Sequence, residues 1–294
     1  MLSYQHGYHA GNPADIHKHF TLWAVTRRLQ QKPAAIHFFD THAGRGWYDL
    51  HGPQAQKNGE FREGVERLLS HRDALEHSPI AELWQSFFGV LDAAHGHPVA
   101  AETLQFYPGS PAWVSALRRE QDRHTVFELH PTELSELNAV GETRTGRVIY
   151  GDGLKGVVQQ LPPQTPRLVI LIDPAYENKE EYGAVAETVA KALKRCRHAV
   201  ILVWYPLLPA RRHEAMLADM QQGSIPCLRS EFVYKPEGAV RGMYGSGMLI
   251  FNPPWQLDSQ LRQAFLPVQD LYSLADGKAP QNALHHVDWL VSDT

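Results

Sequence analysis

The chain has 294 residues, 43% of them hydrophobic and 20% charged, with a formal net charge of −4. That balance leaves ample material for a buried core and excludes a general polyanion binder, which would carry a large basic excess. The only cysteines, Cys196 and Cys227, lie far apart and indicate neither a disulfide framework nor a thiolate zinc site. A reducing cytoplasm is the expected location: no stretch approaches the roughly 20 apolar residues of a membrane span, and the first residues lack the apolar centre of a signal peptide.

Along the chain, the first apparent helix carries Lys18, His19, Arg27 and Arg28. Further basic groups follow at Lys191 to His198 and Arg211 to His213. Each cluster taken alone reads as a solvated helix face. The spacing predicts seven strands: Ile36–His42, Thr125–Leu129, Arg147–Tyr150, Leu168–Asp173, Ala199–Tyr205, Leu228–Tyr234 and Gly247–Asn252. Amphipathic helices are expected at Lys179–Arg195 and Ala210–Gln222. This alternation predicts an α/β fold with a mostly parallel sheet covered by helices. No helix separates the last two runs, which are joined by the Gly-rich segment K-P-E-G-A-V-R-G-M-Y-G-S-G, so that pair should be antiparallel. Between the first two strands the chain is too long for one helix. Helical patterns at Glu60–Ser70 and Ile80–His95 suggest a single domain, 1–294, with a helical subdomain, 52–106, inserted there.

The chemistry gathers at strand ends. Phe38 to Trp47 reads F-F-D-T-H-A-G-R-G-W, and glycines at 44 and 46 directly after a strand let the backbone approach a ligand that a Cβ would block. On this segment alone a plain strand-ending turn is an equally good account. Glu128 in V-F-E-L-H ends the second strand, where an acidic residue accepts hydrogen bonds from ribose hydroxyls. Asp152 ends the third strand and Asp173 the fourth, so Asp40, Glu128, Asp152 and Asp173 should converge on one sheet edge. Four carboxylates there cost desolvation free energy unless they serve a ligand or are paired. An acidic, glycine-lined cleft disfavours a pyrophosphate and suits S-adenosylmethionine, which has a ribose, a positive charge and no phosphate.

The stretch L-I-D-P-A-Y-E then acquires a purpose. A carboxylate (Asp173) and a peptide oxygen (Pro174) at fixed angles can accept both hydrogens of an adenine amino group and aim its lone pair, while Tyr176 stacks on the base. Such a base must first leave its stack. Asn252-Pro253-Pro254-Trp255 is a rival that fits the aminomethyltransferase spelling [D/N/S]-P-P-[Y/F/W] better. It ends the run at the antiparallel side of the sheet, whereas catalysis belongs beside the first strand, so Asp173 is preferred.

Taken together, the residues resemble the RlmJ family of 23S ribosomal RNA adenine methyltransferases. The likeness spans nearly the whole chain: M-L-S-Y-Q-H-G-Y-H-A-G-N-P-A-D-I-H-K-H, D-T-H-A-G-R-G, F-Y-P-G-S-P, E-L-H-P, G-D-G, L-I-D-P-A-Y-E, W-Y-P and G-S-G-M-L-I-F-N-P-P-W. The resemblance implies a class I S-adenosylmethionine-dependent methyltransferase, Rossmann-like with a seven-stranded sheet. Its activity would be methylation of the 6-amino group of one 23S rRNA adenine, customarily numbered 2030; because the base must be extruded, naked or early-assembly rRNA is the expected substrate. It implies that His19, His42, Gly44, Ser110, Glu128, Asp152, Gly153 and Asp173 line the cofactor site. Asp173 is also the catalytic proton acceptor, Lys18 lies near it, and Tyr4 touches the RNA. Ala175 stands where the family has a second proline, which fixes the loop less firmly.

Alternatives remain at this stage: a DNA adenine-N6 methyltransferase, or a non-catalytic RNA-binding assembly factor. No obligate protein partner is expected. A metal is not expected either, because His6, His9, His17 and His19 lack acidic partners in a ligand pattern. Trp204-Tyr205-Pro206 is taken as core, and Ser110 as the N-cap of the following helix.

Overall fold

The run Arg167–Ile172 has no polar face, and in the computed structural model Leu168 to Ile172 are buried on both sides of a central strand. The structure describes residues 4–141, 146–237, 242–273 and 284–292. Residues 238–241 of the Gly-rich join lie outside them.

The strands, in chain order, are β1 (Ile36–Asp40), β2 (Trp47–Asp49), β3 (Phe106–Pro108), β4 (Arg123–Glu128), β5 (Arg147–Tyr150), β6 (Arg167–Ile172), β7 (Val200–Leu207), β8 (Cys227–Val233), β9 (Gly245–Phe251) and β10 (Leu284–Val291). Eight of them form one sheet in the order β10-β8-β9-β7-β6-β1-β4-β5, and β2 and β3 pair separately. β5, β4, β1, β6 and β7 are mutually parallel, whereas β9 runs antiparallel to β7 and to β8. All seven anticipated strands are present, and the last pair is antiparallel as expected. The strand order reverses at β1, between β4 and β6, which is where such sheets open a ligand crevice.

Helices cover both faces. Phe20 and Trp23 of helix Pro13–Gln30, with Phe265 of helix Leu257–Ser273, pack against Phe38, Val169, Leu171, Phe232 and Ile250. On the other face, Val185 and Val189 of helix Glu180–Arg195 and Met216 of helix His213–Gln221 cover Ile170, Ile172 and Ile201. Between β1 and β4, helices at Pro53–Asn58, Arg62–Ser70, Arg72–Glu76 and Ala81–His95 occupy the long gap. They share the first core: the ring of Trp84 lies 4.7 Å from that of Phe20.

The eighth strand was not anticipated. β10 is an edge strand whose sequence, L-H-H-V-D-W-L-V, alternates poorly because only Val287 is buried. Helix Leu257–Ser273 carried a readable signal, since Leu257, Leu261, Ala264, Phe265, Val268 and Tyr272 recur at helical spacing.

Candidate active site

The carboxyl ends of β1, β4, β5 and β6 surround a cavity of about 340 Å³. Its lining includes Tyr4, Lys18, His19, His42, Gly44, Ser110, Glu128, Asp152, Gly153, Asp173 and Pro174. Every residue expected at the cofactor is therefore at one place, although positions 4 and 173 come from opposite halves of the chain.

Glycine is required at two of these positions. Gly44 holds φ +61, where a side chain is strained, and a Cβ on Gly153 would sit 1.9 Å from the carbonyl oxygen of Thr41. Across the cavity, Glu128 is anchored by the backbone: Oε2 accepts from Gly44 N at 2.7 Å and Oε1 from His130 N at 2.6 Å. Burial raises its carboxyl above the ordinary range, and those two N–H groups partly offset the shift. Asp152 caps helix Gly153–Gln159 by accepting from Lys155 N at 3.2 Å. On the opposite wall, His19 lies against Trp113 and its Nδ1 meets the Tyr107 hydroxyl at 2.7 Å. Burial and then the Lys18 charge hold His19 neutral, and its buried Nε2 has no protein partner. The His42 imidazole is pushed down to about 4 by burial.

Two expectations need correction. Asp40 does not line this cavity: it is buried behind it, accepting from the Ser110 hydroxyl at 2.5 Å and from His42 N at 3.1 Å, and burial raises it to about 6. It braces the loop rather than facing a ligand. Ser110 is the first residue of helix Ser110–Leu117 and not its N-cap, which is Gly109. Its hydroxyl donates to Asp40 instead.

Asp173 lies at the junction with a second cavity of about 170 Å³, lined by Tyr4, Lys18, Asp173, Tyr176, Trp204 and Pro206 among others. Lys18 Nζ meets Asp173 Oδ2 at 2.6 Å and Asp15 Oδ1 at 2.9 Å. Burial alone would lower this ammonium, but the two carboxylates raise it above the ordinary lysine range. Asp15 in turn accepts from Gly11 N and meets His6 Nε2, both at 2.8 Å, and His6 Nδ1 meets the Tyr4 hydroxyl at 2.8 Å. Burial would raise Asp15, yet His6 and Lys18 hold it well below the usual carboxylate range. The sequence reading missed Asp15 and His6. The spacing D-x-x-K on the helix begun by Asn12 was the available signal, because it places Asp15 and Lys18 on one face.

Tyr176 is buried at φ 54, with its ring 4.4 Å from that of Tyr182 and its hydroxyl donating to the Trp204 carbonyl at 2.8 Å. The W-Y-P segment is divided. Tyr205 is core, as expected, but Trp204 and Pro206 wall the second cavity. Asn252 lies at the other end of the sheet, since Phe251 pairs with Ile201 at the start of β7, and its amide donates to the carbonyls of Arg197 and Ala199 at 2.8 Å each. No group of three or more potential metal ligands occurs among the described residues.

The residues suit S-adenosylmethionine on two structural grounds: a carboxylate anchored at the end of β4, where such sheets receive a ribose, and further carboxylates, Asp152 and Asp173, at the neighbouring strand ends to face a positive charge. With five parallel strands, an antiparallel β9 between β7 and β8, and the crevice at β1, the protein is a class I methyltransferase. Its cofactor is S-adenosylmethionine. The chain belongs to the RlmJ family: the family model described as "Ribosomal RNA large subunit methyltransferase D, RlmJ" matches residues 33–291. It is 36% identical over 263 residues to Ribosomal RNA large subunit methyltransferase J of Escherichia coli (strain K12), covering 89% of this chain and 90% of that one. It is 32% identical over 265 residues to the protein of the same description from Haemophilus influenzae, covering 90% and 91%. A crystal structure from Legionella pneumophila superposes with a TM-score of 0.83 at 30% identity, covering 95% of this chain and 98% of that one. No helix among the described residues is long and apolar enough to cross a membrane.

Proposed function

We propose that the protein methylates the exocyclic N6 of one adenine of 23S rRNA, the position customarily numbered 2030, on naked or early-assembly RNA. The observation that carries this reading is the place of Asp173, at the wall between a cofactor-sized cavity and a smaller aromatic one. Its Oδ2 is held by Lys18, which leaves Oδ1 to accept one amino hydrogen, and on this reading the carbonyl of Pro174, a residue that lines the cofactor cavity, accepts the other. Two acceptors at fixed angles draw the amino nitrogen toward tetrahedral geometry. The bound cofactor supplies an electrophilic methyl group. The amino proton then passes to Asp173 Oδ1, the carboxylate oxygen that Lys18 does not hold. Tyr176 and Trp204 wall the smaller cavity and offer rings to an extruded base. Tyr4 lines both cavities, which suits contact with the RNA.

The curated relatives named for large-subunit rRNA methylation support the substrate class. The helices within 52–106 form, on this proposal, an inserted subdomain of a single domain, 1–294, and the enzyme works in the cytoplasm without an obligate protein partner. The test is incubation with labelled S-adenosylmethionine and either unmodified total RNA or genomic DNA, followed by nucleoside analysis. N6-methyladenosine in 23S rRNA is expected. Label confined to DNA, or cofactor binding with no transfer, would overturn the proposal. Faster methylation of assembled large subunits than of protein-free rRNA would remove its early-assembly part.

A further inference from the structure

Behind the smaller cavity lies a chain of buried polar groups with no part in the chemistry above. Trp204 Nε1 lies 2.9 Å from Ser246 Oγ, Ser246 Oγ is 3.1 Å from His17 Nδ1, His17 Nε2 is 2.9 Å from Ser230 Oγ, and Ser230 Oγ is 2.8 Å from His285 Nε2. His17, Ser230 and Ser246 are each 0% exposed. An indole N–H can only donate, so Ser246 Oγ accepts it. The neutral His17 ring bridges Ser246 and Ser230, one ring nitrogen donating and the other accepting. Burial brings the His17 pKa down to about 3, so the ring stays neutral in this role.

The chain links a helix to two neighbouring strands of the sheet. His17 sits on helix Pro13–Gln30 beside Lys18, Ser246 is on β9, and Trp204 is on β7 with its ring facing the cavity. The ring also packs against the hydrophobic core, with Lys18 Nζ 6.0 Å from its centroid and the Tyr176 ring 6.1 Å away at 48°, and none of these contacts engages its polar edge. A ring at a cavity wall can turn about its last side-chain bond unless something grips its polar edge. Ser246 supplies that grip, and His17 orients Ser246. A serine and a histidine fully buried between a helix and a sheet would otherwise be an expensive way to fill a core.

We propose that Ser246 and His17 are positioning residues that fix the Trp204 indole as the wall of the base cavity, and so govern how well the acceptor base is held without affecting the cofactor. This rests on the methyltransferase function proposed above. The experiment compares wild type with Ser246→Ala, His17→Phe, His17→Gln, Trp204→Phe and the double variant Ser246→Ala/Trp204→Phe. Cofactor affinity, kcat and KM for 23S rRNA are measured for each, together with the indole N–H resonance of Trp204, assigned by its absence from Trp204→Phe.

Ser246→Ala and His17→Phe are expected to raise KM for RNA about tenfold, the effect of one buried hydrogen bond, with cofactor affinity unchanged. The Trp204 resonance should shift in both. His17→Gln, whose amide can still meet both serines, should recover most of the loss. The double variant should be no worse than Trp204→Phe within about twofold, because the serine acts only through the indole. A wild-type KM in Ser246→Ala, equal losses in cofactor and RNA binding, or losses that multiply in the double variant would overturn the inference. If the wild type methylates no RNA, the proposed function falls, and an unshifted Trp204 resonance in Ser246→Ala would then refute the positioning role by itself.

Discussion

Gly153→Ala tests whether the crevice at the end of β5 is the cofactor site. The added Cβ would meet only backbone: the Thr41 carbonyl oxygen at 1.9 Å, its carbon at 2.6 Å and its Cα at 2.7 Å. Thr41 cannot give way easily. Its N–H and hydroxyl both donate to the Leu171 carbonyl, at 3.0 and 3.1 Å, and the next N–H donates to Asp40. To restore ordinary contact the start of helix Gly153–Gln159 must therefore move by roughly an ångström, carrying Asp152 with it. Overpacking of this kind costs about 1–3 kcal/mol of stability, and a displaced carboxylate should weaken cofactor binding by at least about tenfold. Titration calorimetry with S-adenosylmethionine and a thermal melt measure the two effects separately. The control is Gly89→Ala, at an exposed position within helix Ala81–His95 where a Cβ meets nothing within 4 Å. It should leave binding unchanged and gain about 0.5–1 kcal/mol from helix propensity. Wild-type cofactor affinity in Gly153→Ala would refute the assignment of this crevice.

Asp173→Asn should abolish methyl transfer while retaining cofactor binding, whereas Asn252→Ala should keep its activity and lose about 1–2 kcal/mol of stability with its two hydrogen bonds, one exposed and one half-buried; nucleoside analysis and denaturant melts check both, and the reverse pattern would move the active site. Lys18→Met leaves Asp15 and Asp173 without their shared cation and should cost about 3–5 kcal/mol in a urea melt, with transfer lost; a melt within 1 kcal/mol of wild type would show the ion cluster to be energetically idle. His124 is buried with both ring nitrogens unpartnered, and burial lowers it to about 3, so the unfolded chain takes up its proton near pH 6.5 while the folded chain does not. Its contribution is complete above that value and is lost as pH falls. His124→Leu should therefore lose about 2 kcal/mol less than wild type between pH 6.5 and 5.0, and parallel stability curves would refute the assignment. Asp40, raised to about 6, acts in the opposite sense as pH falls below that value and is common to both proteins.

The sequence made the sheet legible because each central strand is an apolar run closed by a polar residue, and that pattern is local. It reached as far as Glu128, Asp152 and Asp173, whose place at the cavity follows from strand ends alone. Asp40 shows where strand-end logic stops. Its position satisfies the same rule as the other three, but Ser110, on a helix beyond the inserted segment, holds it away from the cavity, and a partner 70 positions along the chain has no local signature. The Lys18–Asp173 pair spans 155 positions, and the His17–Ser246 contact 229. Both depend on how one N-terminal helix lies across a sheet formed from the rest of the chain. Trp204 marks the same boundary. Its neighbour Tyr205 points into the core and Trp204 itself into the cavity, because alternation along β7 assigns them to opposite faces. Which face is wet was decided by the helix that covers it, and the apolar spelling of W-Y-P carries no trace of that choice.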